Sequence, residues 1–123
     1  MRILKAVIWD LDETLLSGIL AEGDKEANPQ AERCLADLEK RGVLQALATQ
    51  NQPEIVPPAL ELLGWSDLFV QVVVSLGLKA KKVKTILKTL DISPLDTAFV
   101  DEDPFERGAV CRSDSGHYCV VSL

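Results

Sequence analysis

Short apolar runs alternate along the chain with segments whose apolar residues recur every three or four positions. "ILKAVIW" (residues 3–9) is a β-rich, largely apolar run of the kind found in a strand buried on both faces. "LLSGILAEGD", with Gly18 and Gly23, reads as a turn-rich flap. Asn28-Pro29 then opens a helix, with Asn as cap and Pro in the first turn. Ala31, Leu35 and Leu38 form its apolar stripe and Gly42 stops it. "VLQALAT" (43–49) predicts a second strand, Pro58 to Leu63 a short helix closed by Gly64, and "LFVQVVVS" (68–75) a third strand. "KAKKVKTILKTL" (79–90) is strongly amphipathic, "TAFVD" (97–101) predicts a fourth strand, and "YCVVSL" a fifth. Between those last two, Asp103-Pro104 with Glu106 has the look of a capping box opening a further helix.

Strands alternating with helices through short connections predict an α/β protein, with a parallel sheet of about five strands between two helical layers. In such sheets ligands sit beyond the C-terminal strand edge, where the strand order switches. That rule singles out Asp10, Asp12, Thr49 and Asp101, which follow strands, and Lys79, which opens a helix.

Composition narrows the picture only a little. A chain of 123 residues with 47% hydrophobic positions predicts one domain, residues 1–123, with a core of its own. A net charge of -6 argues against a nucleic-acid footprint, which needs a basic face. No apolar stretch reaches the length of a membrane span, and the N-terminal run, interrupted by Lys5, does not read as a signal peptide. Cys34, Cys111 and Cys119 are odd in number and match no zinc spacing, so reduced thiols and a cytoplasmic location are expected.

The acids carry the chemistry. Burying carboxylates is costly unless they are paired or metal-bound. Asp10 at a strand end is placed to attack an electrophile and form a covalent intermediate. Asp12, two residues on, is placed for general acid–base work. Asp101, followed by Glu102 and Asp103, arrives from another strand; converging acids call for a cation, and hard oxygen ligands favour Mg²⁺. Thr49 offers a hydroxyl to an anionic oxygen. Of the five lysines between residues 79 and 88, Lys79 aligns with the apolar face of Val83, Ile86, Leu87 and Leu90 at the helix's first turn. Lys82 lies on the flank and ranks second, while Lys81, Lys84 and Lys88 face away. Acid nucleophile, magnesium, hydroxyl and lysine together describe phosphoryl transfer.

These motifs, "WDLDETL", "ALAT", Lys79 and "FVDED", resemble in kind and order those of the haloacid dehalogenase (HAD) superfamily. "ATQN" and "DEDPFERGAV" are similar to its magnesium-dependent phosphatases and to the FkbH-like glyceryl-transferring domains. The resemblance implies a Rossmann-like fold and a phosphatase acting through an aspartyl-phosphate. Asp10 would be the nucleophile, Asp12 the acid–base, Thr49 the phosphate binder and Lys79 the charge neutraliser. Mg²⁺ would be held by Asp10, the Asp12 backbone carbonyl and Asp101, with Glu102 standing where Asp is usual. Leu11, Thr14, Gln50 and Asn51 are expected to line the substrate. Residues 15–43 and 50–78 leave no room for a cap domain, which favours a bulky or carrier-bound phosphorylated substrate and leaves a dimer open as a means of covering the site. The alternative expectation is glyceryl or acyl transfer, or binding of a phosphorylated partner, within a biosynthetic pathway.

Overall fold

The computed structural model describes residues 4–113 and 119–121; for residues 109, 111–113 and 119–121 only the backbone is described. Five strands form one sheet: β1 (Ala6–Trp9), β2 (Leu44–Gln50), β3 (Gln71–Ser75), β4 (Thr97–Val100) and β5 (Cys119–Val121). Their order is β3-β2-β1-β4-β5, and every pairing is parallel. Four α-helices connect them: α1 (Pro29–Lys40), α2 (Val56–Leu63), α3 (Lys79–Leu90) and α4 (Pro104–Ser113).

The strand alternation divides the core between two faces. Val7 and Trp9 of β1 pack with Leu47, Ala98 and Val100 against Leu35 of α1 and Ala59 and Leu60 of α2. Ile8 packs with Ala46, Ala48 and Phe99 against Val83, Ile86 and Leu87 of α3 and Val110 of α4. Thus α1 and α2 cover one face and α3 and α4 the other. The chain runs outward from β1 to β3, then crosses back to β4 on the other side of β1. The strand order therefore switches between β1 and β4, and a crevice opens at their C-terminal ends. Asp10 leaves β1 there and Asp101 leaves β4, with Trp9 and Val100 in register.

Local chemistry explains the element ends. Asn28 Oδ1 accepts from the Gln30 and Ala31 amides (3.0 and 3.4 Å), capping α1 ahead of Pro29. The helix expected from Pro58 begins instead at Val56. Pro57 and Pro58 fall in its first turn, where a missing N–H leaves no bond unmade. The third strand, expected from residue 68, begins at Gln71. Leu68 and Phe69 are apolar because they pack against the core, and the Leu68 amide closes a turn on the Trp65 carbonyl (3.0 Å). The fifth strand is described only over Cys119–Val121. Ile3 of the first expected strand, Tyr118, Ser122 and Leu123 of the fifth, and the lone His117 lie outside the described residues.

No separate cap is inserted among the described residues. Between β1 and α1 the chain forms a tight flap. A wide turn spans Leu11–Leu15, the Leu16 amide donating to the Leu11 carbonyl (2.9 Å), and Glu13 takes a left-handed φ of 57°. Leu16 pairs antiparallel with Ala27, and a 3₁₀ turn covers Leu20–Glu22. Gly18 is required here: a Cβ would stand 2.3 Å from the Asp24 carboxylate, whose Oδ2 accepts from the Ile19 amide (3.0 Å).

Candidate active site

A cavity of about 200 Å³ lies at the β1–β4 switch point, with Asp10, Thr49, Lys79 and Asp101 in its lining. All four are buried. The Lys79 ammonium donates to Asp10 Oδ1 and, at 3.0 Å, to Asp101 Oδ2, so one cation bridges the carboxylates of two strands. The remaining carboxylate oxygens are also held. Asp10 Oδ2 accepts from the Thr14 hydroxyl (3.3 Å), and Asp101 Oδ1 accepts from the Asp103 amide (2.9 Å). Arg107 of α4 donates to the Asp101 carbonyl (2.7 Å).

Burial pushes the Asp10 carboxyl up to about 6, with Lys79 opposing and Asp101 adding to the rise. Burial alone would depress Lys79, but Asp10 and Asp101 outweigh it and hold the ammonium above its ordinary value. The nucleophile candidate is thus a carboxylate whose ionised form depends on neighbouring positive charge.

The wide turn carries Asp12 back to the same cavity. Its Oδ1 accepts from the Leu20 amide (2.9 Å) and its Oδ2 from Asn51 Nδ2 (3.2 Å). The same Asn51 nitrogen donates to Thr49 Oγ1 (2.9 Å). The Thr49 hydroxyl hydrogen is claimed by no described residue, leaving a donor in the cavity wall.

The structure brings Asp10, Asp12, Thr49, Gln50, Lys79, Asp101 and Glu102 to one cavity and places three other expected residues differently. Leu11 is fully buried in the core and does not line the cavity. Thr14 is fully buried too: its hydroxyl donates to Asp10 and accepts from the Glu102 amide (3.2 Å), which makes it a support behind Asp10. Asn51 is buried and joins Thr49 to Asp12 from beneath. The capping box expected at α4 is half made. Asp103 Oδ1 caps the Phe105 amide (2.9 Å), but the Asp103 amide goes to Asp101, and Glu106 lines the cavity.

Glu13, Glu106 and Arg107 were not expected at the site from sequence. Glu106 and Arg107 sit in the first turn of a helix following β4, and that position was the signal available. Lys82, expected on the flank, is buried and donates to the Gly77 carbonyl. Burial, then the nearby Lys79, pushes its ammonium down.

No protein-family model and no curated protein matches the chain. Solved structures do. The chain superposes on the N-terminal part of protein BF1531 from Bacteroides fragilis, which contains a phosphatase domain complexed with Mg, with a TM-score of 0.85 and 23% identity. That match covers 99% of this chain and 36% of the other, so the chain spans about a third of that relative's length. It is also similar to the haloacid dehalogenase-like hydrolase SP0104 from Streptococcus pneumoniae (TM-score 0.73, 13% identity, 98% and 83% of the two chains). The cobalt-bound deoxy-D-mannose-octulosonate 8-phosphate phosphatase YrbI from Haemophilus influenzae superposes with a TM-score of 0.68 at 17% identity, over 97% and 68% of the chains. The fold is therefore HAD-like, the α/β architecture shared with these structures.

Proposed function

We propose that the protein is a Mg²⁺-dependent phosphatase that hydrolyses a phosphate monoester through a phosphoryl group on Asp10. The observation that carries this reading is the buried Asp10–Lys79–Asp101 cluster at the strand-order switch, with the anchored Asp12 carboxylate beside it.

The donor set fits a hard divalent cation. Two buried carboxylates share a single ammonium, and Asp12, Glu13, Glu102, Asp103 and Glu106 add further negative charge around the cavity. Among the described residues no group of three or more acidic, His or Cys side chains is set for a metal. Mg²⁺ commonly takes only one or two carboxylates and completes its shell with water and substrate phosphate, so Asp10, Asp101 and the Asp12 carbonyl would suffice to hold it, with Glu102 at hand in the same cavity. Bound there, Mg²⁺ supplies neutralisation of the phosphoryl charge and of Asp10.

The side chains supply the remaining chemistry. Asp10 attacks phosphorus; the P–O ester bond breaks, and the leaving oxygen takes its proton from Asp12. Water then attacks the phosphorus of phospho-Asp10 and gives a proton to Asp12, releasing inorganic phosphate and restoring the Asp10 carboxylate and the protonated Asp12 that began the cycle. Thr49 Oγ1 and Lys79 Nζ hold the phosphoryl oxygens. Thr14 and the Asp103 amide keep Asp10 and Asp101 in place. The flap and α2 leave the site open, which suits a bulky or carrier-bound ester.

The test is phosphate release from an aryl phosphate with Mg²⁺ and with chelator. Wild type is expected to turn over only with metal, and Asp10→Asn not at all. Equal release by the variant, or release in chelator, would refute the reading.

A further inference from the structure

A second, larger groove of about 720 Å³ opens beside the catalytic cavity, within the size range of small-molecule sites. The two share Gln50. The groove runs between the flap and α2, with Leu20, Ala21, Ile55, Ala59 and Leu76 giving it a mostly apolar wall. Its charged residues are Lys25 and Glu54, one of each sign and both exposed, so it has no net charge to offer an ionic ligand. This contrasts with the acid-lined cavity next to it.

The position of Asp12 relates the two. Both donors to its carboxylate, the Leu20 amide and Asn51 Nδ2, belong to residues that line the groove. The Asp12 carboxylate, which lines the catalytic cavity, therefore stands between that cavity and the groove. An ester oxygen within its reach carries its organic group on the groove side.

Building on the phosphatase reading, we infer that the substrate is the phosphate ester of an uncharged, predominantly apolar alcohol whose organic group lies along Leu20, Ile55, Ala59 and Leu76. Against this wall a sugar's hydroxyls or a second anion would find partners only at Lys25, Gln50, Asn51, Gln52 and Glu54, so such esters gain less from the groove than an apolar group does.

The test is kcat/KM with Mg²⁺ across a series of n-alkyl phosphates from ethyl to octyl, with a hexose phosphate as comparator. Wild type is expected to gain about fourfold per methylene until the groove is filled, with the hexose phosphate no better than ethyl phosphate. Ala21→Trp, which occupies the groove, and Leu76→Asp, which charges its wall, alter exposed positions outside the catalytic cluster. Both should flatten the series, octyl phosphate losing far more than ethyl phosphate. A flat wild-type series, a preferred hexose phosphate, or an unaltered slope in both variants would overturn the inference while leaving the phosphatase reading intact. No turnover of any ester, the aryl phosphate included, would overturn the phosphatase reading and this inference with it.

Discussion

Lys79 and Lys82 lie three residues apart on α3, and both are almost fully buried, at 5% and 3% exposure. Their surroundings set them to opposite ends of what a buried ammonium can be. Lys79 meets two carboxylates and is held charged. Lys82 donates to one carbonyl, that of Gly77; burial, then Lys79 as a like charge, outweigh the opposing pull of Glu106 and Asp10, so its charged form is disfavoured. Gly77 already receives a bond from Gln50 Nε2 (2.9 Å), so Lys82 is the second of two donors fastening the β3–α3 loop. The pair shows that burial alone does not set the state of a lysine; direct ion pairs with two carboxylates hold Lys79 charged, and Lys82 makes none among the described residues.

The largest effect should come from Lys79→Met, which leaves Asp10 and Asp101 facing each other without a cation. We expect turnover to fall by at least about 100-fold, since a group stabilising the phosphoryl charge is lost. The metal-free protein should lose about 3–5 kcal/mol in denaturant unfolding at neutral pH. Mg²⁺ should restore part of that stability.

Asp10 gives the next largest effect, through pH. Its folded value, about 6, lies above its ordinary 3.8, so the native state holds the proton more tightly than the unfolded chain does. The contribution of Asp10 to the metal-free protein is therefore favourable in acid and declines as pH rises through the window between those values, by about 3 kcal/mol in total. Denaturant unfolding of wild type against Asp10→Asn across this window isolates it. The difference should shrink with saturating Mg²⁺, which favours the ionised carboxylate.

Removing the Thr14 hydroxyl from Asp10 sharpens the comparison. Thr14→Val leaves Asp10 Oδ2 and the Glu102 amide without their partner and should cost about 1–3 kcal/mol, read as a lowered denaturant midpoint. Lys82→Met should be the mildest, within about 1 kcal/mol of wild type, because the Gly77 carbonyl keeps Gln50 and an ill-solvated ammonium is removed. A Lys82→Met loss as large as that of Lys79→Met would break the contrast between the two lysines.

Much of this arrangement was legible in the sequence because it depends on local placement. Asp10, Thr49 and Asp101 end runs that read as strands, and Lys79 opens an amphipathic helix, so topology alone gathers them at one edge. What was not legible depends on backbone paths that periodicity does not encode. The inward position of Lys82 requires the β3–α3 loop to fold back until the Gly77 carbonyl meets it. The withdrawal of Thr14 behind Asp10 requires the left-handed Glu13 in the turn before it. The early start of α2 required seeing two prolines as first-turn residues, where the sequence reading treated Pro58 as the boundary. Arg107 reaches the Asp101 carbonyl only because α4 begins directly after β4.

The central claim, that Asp10 is the attacking group, is tested most directly by intact mass after acid quenching during turnover of an aryl phosphate with Mg²⁺. The account predicts a wild-type species heavier by one phosphoryl group, localised to the peptide containing Asp10, and no such species in Asp10→Asn. Metal-dependent turnover by Asp10→Asn, or a phosphoryl group found on another residue, would contradict it.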